Sequence, residues 1–325
     1  MGRLTLDDLV EGVVAGDRRC LGRAITTVEE GDETSWSLLK RLAPHIGGAL
    51  RVGITGPPGA GKSTLADALV RELRTRDLSV GVIAVDPSSP FTGGALLGDR
   101  VRMLRATEDP EVFVRSMASR GCLGGLARTT QEAADVLDAA GKDVVLFETV
   151  GVGQSELTVA SACDLTIVVL VPEAGGMVQA MKAGVMEIAD MFVVNKADRP
   201  GADEMEFQLV DASRYLISDG RRPPVLKTSA LKDEGLDGLA DEVLQYREWL
   251  HQGERLELRR KAQAKTRIRE LVRSALEEKF WSQASVDESL SEAAEAFRSS
   301  DQSLLEVAQK FWLSVREQIA VSDIS

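Results

Sequence analysis

Cysteine and histidine are scarce in this chain. Its three cysteines, Cys20, Cys122 and Cys163, lie far apart with no CxxC pair, and its two histidines, His45 and His251, are equally isolated. This spacing argues against a disulfide framework and against a zinc site built on them. Positive charge is also in deficit. The 39 Lys and Arg stand against 51 Asp and Glu, a net charge of -12, and both nucleic acid and anionic membrane surfaces attract basic patches instead. Neither is expected as a partner, and the basic run from Arg259 to Lys265 reads as one face of a solvated helix. No apolar run approaches membrane-spanning length, and the amphipathic stretch LTLDDLVEGVVAGDRRCLGRAITTVE lacks the basic-then-apolar order of a signal peptide. A soluble, cytoplasmic protein is expected, long enough at 325 residues to bury a full core.

What is present is an alternation of short apolar runs with helical patterns. Candidate strands are LRVGIT (50–55), SVGVIAV (79–85), EVFVRS (111–116), DVVLFET (143–149), LTIVVLV (165–171), DMFVVN (190–195) and PVLKTS (224–229). Continuous β-branched runs suit strands covered on both faces, which predicts an α/β fold with a mostly parallel, doubly wound sheet. Residues 1–49 read as an N-terminal helical segment of two or three helices, 50–250 as the α/β domain and 251–325 as a helical tail. In that tail, apolar residues recur at helical spacing, as in Leu304, Leu305, Ala308, Trp312, Val315 and Ile319. They either cover one side of the sheet or bury their stripe in a partner or a second subunit.

The chemistry begins at GPPGAGKST: Gly56, Pro57, Pro58, Gly59, Ala60, Gly61, Lys62, Ser63 and Thr64. It follows a strand and precedes an amphipathic stretch, the context a phosphate loop requires. Converging backbone N–H groups suit the α and β phosphates, Lys62 reaches the β and γ phosphates, and the Ser63 hydroxyl suits Mg²⁺. NKAD follows a later strand, with Asn195, Lys196 and Asp198. An aspartate there accepts from the guanine N1 and exocyclic amine, while the Lys196 stem packs along the base. Adenine would leave that carboxylate unpaired, so GTP/GDP is expected over adenine nucleotides. TSAL, after one further strand, brings the backbone N–H groups of Ser229, Ala230 and Leu231 toward the guanine carbonyl. Asp86, Asp99 and Glu148 stand at or after strand ends as hard-oxygen ligands for Mg²⁺, directly or through water.

Taken in order, GPPGAGKSTL, VDPSSP with GGALLGDRVRM, RGCLGGLA, FETVGVGQSE, KAGVMEIADMFVVNKADRPGA and TSAL resemble the MeaB and methylmalonic aciduria type A family. These are P-loop GTPases that accompany cobalamin-dependent acyl-CoA mutases, and similar sequences carry the older label ArgK, a transport-system kinase. By motif the resemblance covers about residues 20 to 250. It implies a GTPase chaperone that gates adenosylcobalamin delivery to the mutase and protects or reactivates it. A cobalamin adenosyltransferase is implied as a further partner, and a homodimer formed through the C-terminal arm. It also implies roles for single residues: Lys62 on phosphate charge, Ser63 and Asp99 on Mg²⁺, Asp86 and Glu148 ordering water, and the Gly151 N–H on the γ-phosphate. The first two mobile segments of the family correspond to 86–103 and 149–160, and a third to 172–184, where Gln179 and Lys182 match. Gly176 departs from the family's aspartate, and Met177 from a polar residue.

Two rival classes share parts of this pattern. Metal-insertion GTPases of urease or hydrogenase maturation carry the same strand-end glutamate, but need His and Cys ligands that this sequence does not cluster; Cys122 reads as a small buried hydrophobe. A P-loop kinase needs an acceptor pocket and a base, for which Asp86 is the candidate, yet NKAD and TSAL favour guanine. Val152 stands where many such proteins carry a water-orienting glutamine, and Gln154 lies two residues later. Slow intrinsic hydrolysis that a mutase partner stimulates is therefore expected.

Overall fold

The computed structural model describes residues 5–86, 109–118, 128–149, 161–172, 184–216, 220–299 and 302–322. Seven strands form one sheet: β1 Leu50–Thr55, β2 Val80–Asp86, β3 Val112–Ala118, β4 Val144–Thr149, β5 Leu165–Leu170, β6 Met191–Val194 and β7 Val225–Lys227. Their order is β3-β2-β4-β1-β5-β6-β7, and each neighbouring pair is parallel. Parallel pairing makes every strand leave the sheet at the same edge. With β1 between β4 and β5, the phosphate loop emerges at the centre of that edge, where ligands of open α/β sheets bind.

Ten helices flank or follow the sheet among the described residues: α1 Leu6–Val14, α2 Arg18–Glu30, α3 Glu33–Leu42, α4 Lys62–Arg74, α5 Arg128–Ala139, α6 Ala202–Ser213, α7 Leu236–His251, α8 Arg255–Trp281, α9 Ala284–Ser299 and α10 Leu304–Ser322. The first three begin at side-chain caps from Thr5, Asp17 and Asp32, and Thr5 with Asp8 forms a reciprocal capping box. Alternation along the strands sends residues to opposite faces. Val144 and Leu146 of β4 join Val52 and Ile54 in a core shared with α4 and α7. Val145 and Phe147 face the other way, into a core shared with α1, α2, α3 and α5. A smaller core packs Leu209 and Met205 of α6 on Val168, Phe192 and Val194.

The chain divides into two compact units, Met1–Arg260 and Lys261–Ser325. In the second, α9 packs on α10, Val286, Val307 and Val315 are buried, and Phe280, Trp281, Phe311 and Trp312 form an aromatic cluster. Leu276, Leu304 and Leu305 remain exposed. No helix among the described residues is long and apolar enough to cross a membrane. Cys20 and Cys163 are buried free thiols, and Cys122 lies outside the described residues.

At the sheet edge opposite the phosphate loop, aspartates preceding β5 and β6 receive arginines from α8. Arg259 donates to both oxygens of Asp190 at 2.9 and 2.6 Å, whose carboxylate also accepts from Tyr246 Oη and Thr166 N. Arg260 donates to both oxygens of Asp164 at 3.0 and 2.8 Å. Arg51 meets Asp135 and Asp138, and Asp138 also accepts from the backbone N–H groups of Gly47, Gly48 and Ala49. The expected solvated face of Arg259 to Lys265 is thus corrected at its first two members. Both are ion-paired within the first compact unit, because each fork-shaped guanidinium finds a carboxylate presented in bidentate geometry. Removing one partner of such a pair strands the other charge. Asp190→Ala should therefore lower unfolding stability by about 3 kcal/mol, read as a fall in the denaturant midpoint of the first unfolding transition.

Candidate nucleotide site

The phosphate loop is shaped by close backbone approach. Gly56 has φ +141°, and a Cβ there would fall 2.1 Å from Val169 O of β5, so a side chain is excluded. Gly61 has φ +84°, and its Cβ would meet Asn195 Nδ2 at 2.7 Å. The loop delivers the chain into α4, whose N-cap Gly61 supplies no side-chain hydrogen bond to the first turn. Uncapped N–H groups at a helix start favour an anion. Lys62, only 6 % exposed, folds back to donate to Gly56 O at 2.8 Å and Pro57 O at 3.0 Å. Pro58, Gly59 and Thr64 are exposed, and Ala60 is buried.

Register carries the acidic strand to this loop. Ile54 of β1 pairs with Glu148 of β4, and Ser63 Oγ donates to Glu148 Oε1 at 2.6 Å. Glu148 is 5 % exposed, so a carboxylate and a hydroxyl meet in a shielded position beside the phosphate loop. Such paired hard oxygens fit Mg²⁺. Asp86 closes β2, which pairs with β4 up to Val85↔Thr149, so its backbone lies at the same sheet edge. Asp99, Gly151, Val152, Gln154, Gly176, Met177, Gln179 and Lys182 lie outside the described residues.

The two base-side loops join the phosphate loop through Asn195. Its Nδ2 donates to Ala60 O at 2.8 Å, while its Oδ1 accepts from Thr228 Oγ1 and Ala230 N, each at 3.3 Å. Lys196, at φ +57°, donates from Nζ to Gly59 O at 2.8 Å, which lays its stem over the loop. Asp198 Oδ1 accepts from Ser229 Oγ at 2.8 Å, and Asp198 Oδ2 lies 3.4 Å from Lys232 Nζ. The Ser229 hydroxyl, helped by the Lys232 ammonium, holds the Asp198 carboxyl below its ordinary pKa, so it is ionised throughout the neutral range. Leu231 is 82 % exposed.

Phosphate loop, Glu148, Asn195 to Asp198 and Ser229 to Leu231 therefore converge on one edge. One expectation needs correction. The Ser229 N–H already donates to Glu234 O at 3.0 Å, because residues 229 to 234 close a tight antiparallel bridge. It is committed to the turn and not offered to a base. The Lys232 contact and the Asn195 link to Ala60 escaped the sequence reading; the Asn–Lys pair preceding Asp198 was the only signal for the second. Truncating Asn195 strands Ala60 O and Ala230 N in a buried setting, so Asn195→Ala should cost about 2 kcal/mol. Titration with guanine nucleotide should show binding weaker by about tenfold or more, alongside a lowered melting temperature.

Comparison with known proteins places the chain in a family. Residues 21–285 match the family described as Methylmalonyl Co-A mutase-associated GTPase MeaB. A protein of Pyrococcus abyssi named as a GTPase is 50% identical over 272 residues, covering 82% of this chain and 84% of its own. The mouse protein named Methylmalonic aciduria type A homolog, mitochondrial, is 34% identical over 304 residues, 88% of this chain and 73% of its own. The crystal structure of an LAO/AO transport system kinase superposes with a TM-score of 0.75 at 27% identity, covering 97% of this chain and 99% of that one. Family match, relatives and sheet topology all lead to one assignment: the chain belongs to the MeaB family and is a P-loop GTP hydrolase.

Proposed function

We propose that this GTPase is a chaperone of a cobalamin-dependent acyl-CoA mutase, methylmalonyl-CoA mutase or a close relative. Its nucleotide cycle gates adenosylcobalamin delivery and protects or reactivates the mutase. The observation that carries the reading is the family match over residues 21–285, which takes in the phosphate loop, Glu148, both base-side loops and the start of the tail. The mouse relative's name points to the same metabolic step. A cobalamin adenosyltransferase is a further partner in this reading. The exposed Leu276, Leu304 and Leu305 of the second unit serve a homodimer, and the protein works in the cytoplasm.

In the nucleotide site, Lys62 exchanges the Gly56 and Pro57 carbonyls for the β and γ phosphates. The N–H groups of the first turn of α4 receive phosphate oxygens. Asp198, ionised and oriented by Ser229, accepts from the guanine N1 and 2-amino groups; the guanine carbonyl falls to the Leu231 N–H and to the Ala230 N–H, which gives up its long 3.3 Å bond to Asn195 Oδ1. The Lys196 stem covers the base. Ser63 and Glu148 would hold Mg²⁺, with Asp86 and Asp99 as further ligands, and the ion supplies neutralisation of the triphosphate charge. Gly151 is assigned to the γ-phosphate.

Val152 carries no group to orient the attacking water, so the isolated protein turns over slowly and the mutase completes the site by reordering segments 149–160 and 172–184. Measuring phosphate release with and without the cognate mutase tests this. Stimulation of about tenfold or more is expected; an isolated protein already fast, and indifferent to any cobalamin mutase, would sink the reading. Asp198→Asn should reverse the base preference from GTP toward XTP by about tenfold or more, since an amide offers a donor where xanthine carries an oxygen. Competition binding with both nucleotides reads that directly.

A further inference from the structure

Lys232 stands beside the base-reading carboxylate, and beyond helping to keep that carboxyl ionised it has no part in the site described so far. Its ammonium lies 3.4 Å from Asp198 Oδ2, the oxygen that Ser229 does not hold. Its backbone is fixed by the turn. Lys232 N donates to Ser229 O at 3.0 Å, and Ser229 and Glu234 exchange hydrogen bonds in both directions at 3.0 and 3.2 Å. The next residue ties this turn to the phosphate-loop helix, because Arg71 Nη2 of α4 donates to Asp233 Oδ1 at 2.8 Å. The Lys232 side chain is itself 54 % exposed. A hydrogen-bonded turn thus carries an exposed cation to the rim of the base site.

A guanine base brings its own donors to Asp198. The N1–H and the 2-amino group approach the two carboxylate oxygens together, and an ammonium already facing Oδ2 sets its positive charge against the positively polarised hydrogens of that neutral amino group. A lysine has no acceptor to offer it. One carboxylate oxygen can accept from two donors, but the ammonium and the amino group repel each other across Oδ2 and compete for its lone pairs.

We infer that Lys232 is a built-in competitor for Asp198: it neutralises the base-reading carboxylate while the site is empty and must withdraw when guanine binds. Lys232 thereby weakens guanine nucleotide binding and favours release. It keeps the nucleotide exchangeable. The inference rests on the assignment of Asp198 as the guanine reader. Because the pair is surface-exposed, its strength is modest, and the effect is a few-fold change.

The experiment measures dissociation constants of the full chain for GDP and for IDP, whose base lacks the 2-amino group. Lys232→Met should tighten GDP binding about threefold to fivefold, while IDP binding changes much less, since hypoxanthine leaves Oδ2 to the lysine. Lys232→Arg should restore the native GDP value, and added salt should narrow the gap between native and Lys232→Met proteins. A turn merely disturbed by the substitution would move GDP and IDP alike. Asp198→Asn serves as the companion variant. If it loses guanine preference while Lys232→Met leaves GDP binding unchanged or weaker, the competitor role is overturned and the Asp198 assignment survives. If Asp198→Asn keeps the native preference, the assignment fails and the competitor role with it.

Discussion

The side-chain amide of Asn195 is only 2 % exposed, and both its ends are used across chain separations that no local rule could supply. Its nitrogen reaches Ala60 in the phosphate loop, and its oxygen gathers Thr228 and Ala230 from the loop after β7. The base side and the phosphate side of the site are thereby held at a fixed separation. Gly61 must be glycine for the same reason, since the Asn195 amide occupies the space a Cβ would take. Positions that look like independent motifs are one packed object. The bracing sets the distance between the phosphate loop and the loops that carry Asp198 and Ala230.

The opposite edge of the sheet is organised by charge. Arg51, Arg259 and Arg260 meet Asp135, Asp138, Asp190 and Asp164, and Asp138 is further satisfied by three backbone N–H groups. Apolar replacements of such a network often stabilise a protein as well or better. What the ions add is geometry. Asp164 and Asp190 precede adjacent strands, and consecutive arginines of α8 each take one of them, Arg259 the Asp190 carboxylate and Arg260 that of Asp164, which fixes the start of that helix to the sheet.

The central strands were legible because both their faces are buried, so they show as nearly uninterrupted apolar runs; β4 and β5 are buried along their whole length. Glycine and proline spacing, with flanking helix and strand patterns, exposed the phosphate loop, and the tetrapeptide ending in Asp198 marked the residue proposed to read the base. Pairings between distant positions were not legible. Nothing in the run from Arg259 distinguishes its first two members, which meet aspartates about 70 to 100 residues earlier, from the solvated ones that follow. The Ser229 N–H was misassigned for a related reason: the tight bridge to Glu234 depends on how the turn closes, and four residues of sequence do not specify it.

Lys62 already bonds to the carbonyls of Gly56 and Pro57, so the phosphate loop is wrapped around a cation before any nucleotide arrives. Binding substitutes one set of acceptors for another, and little backbone has to be ordered at that moment. The loop's own carbonyls are thus the reference acceptors with which any phosphate must compete for Lys62.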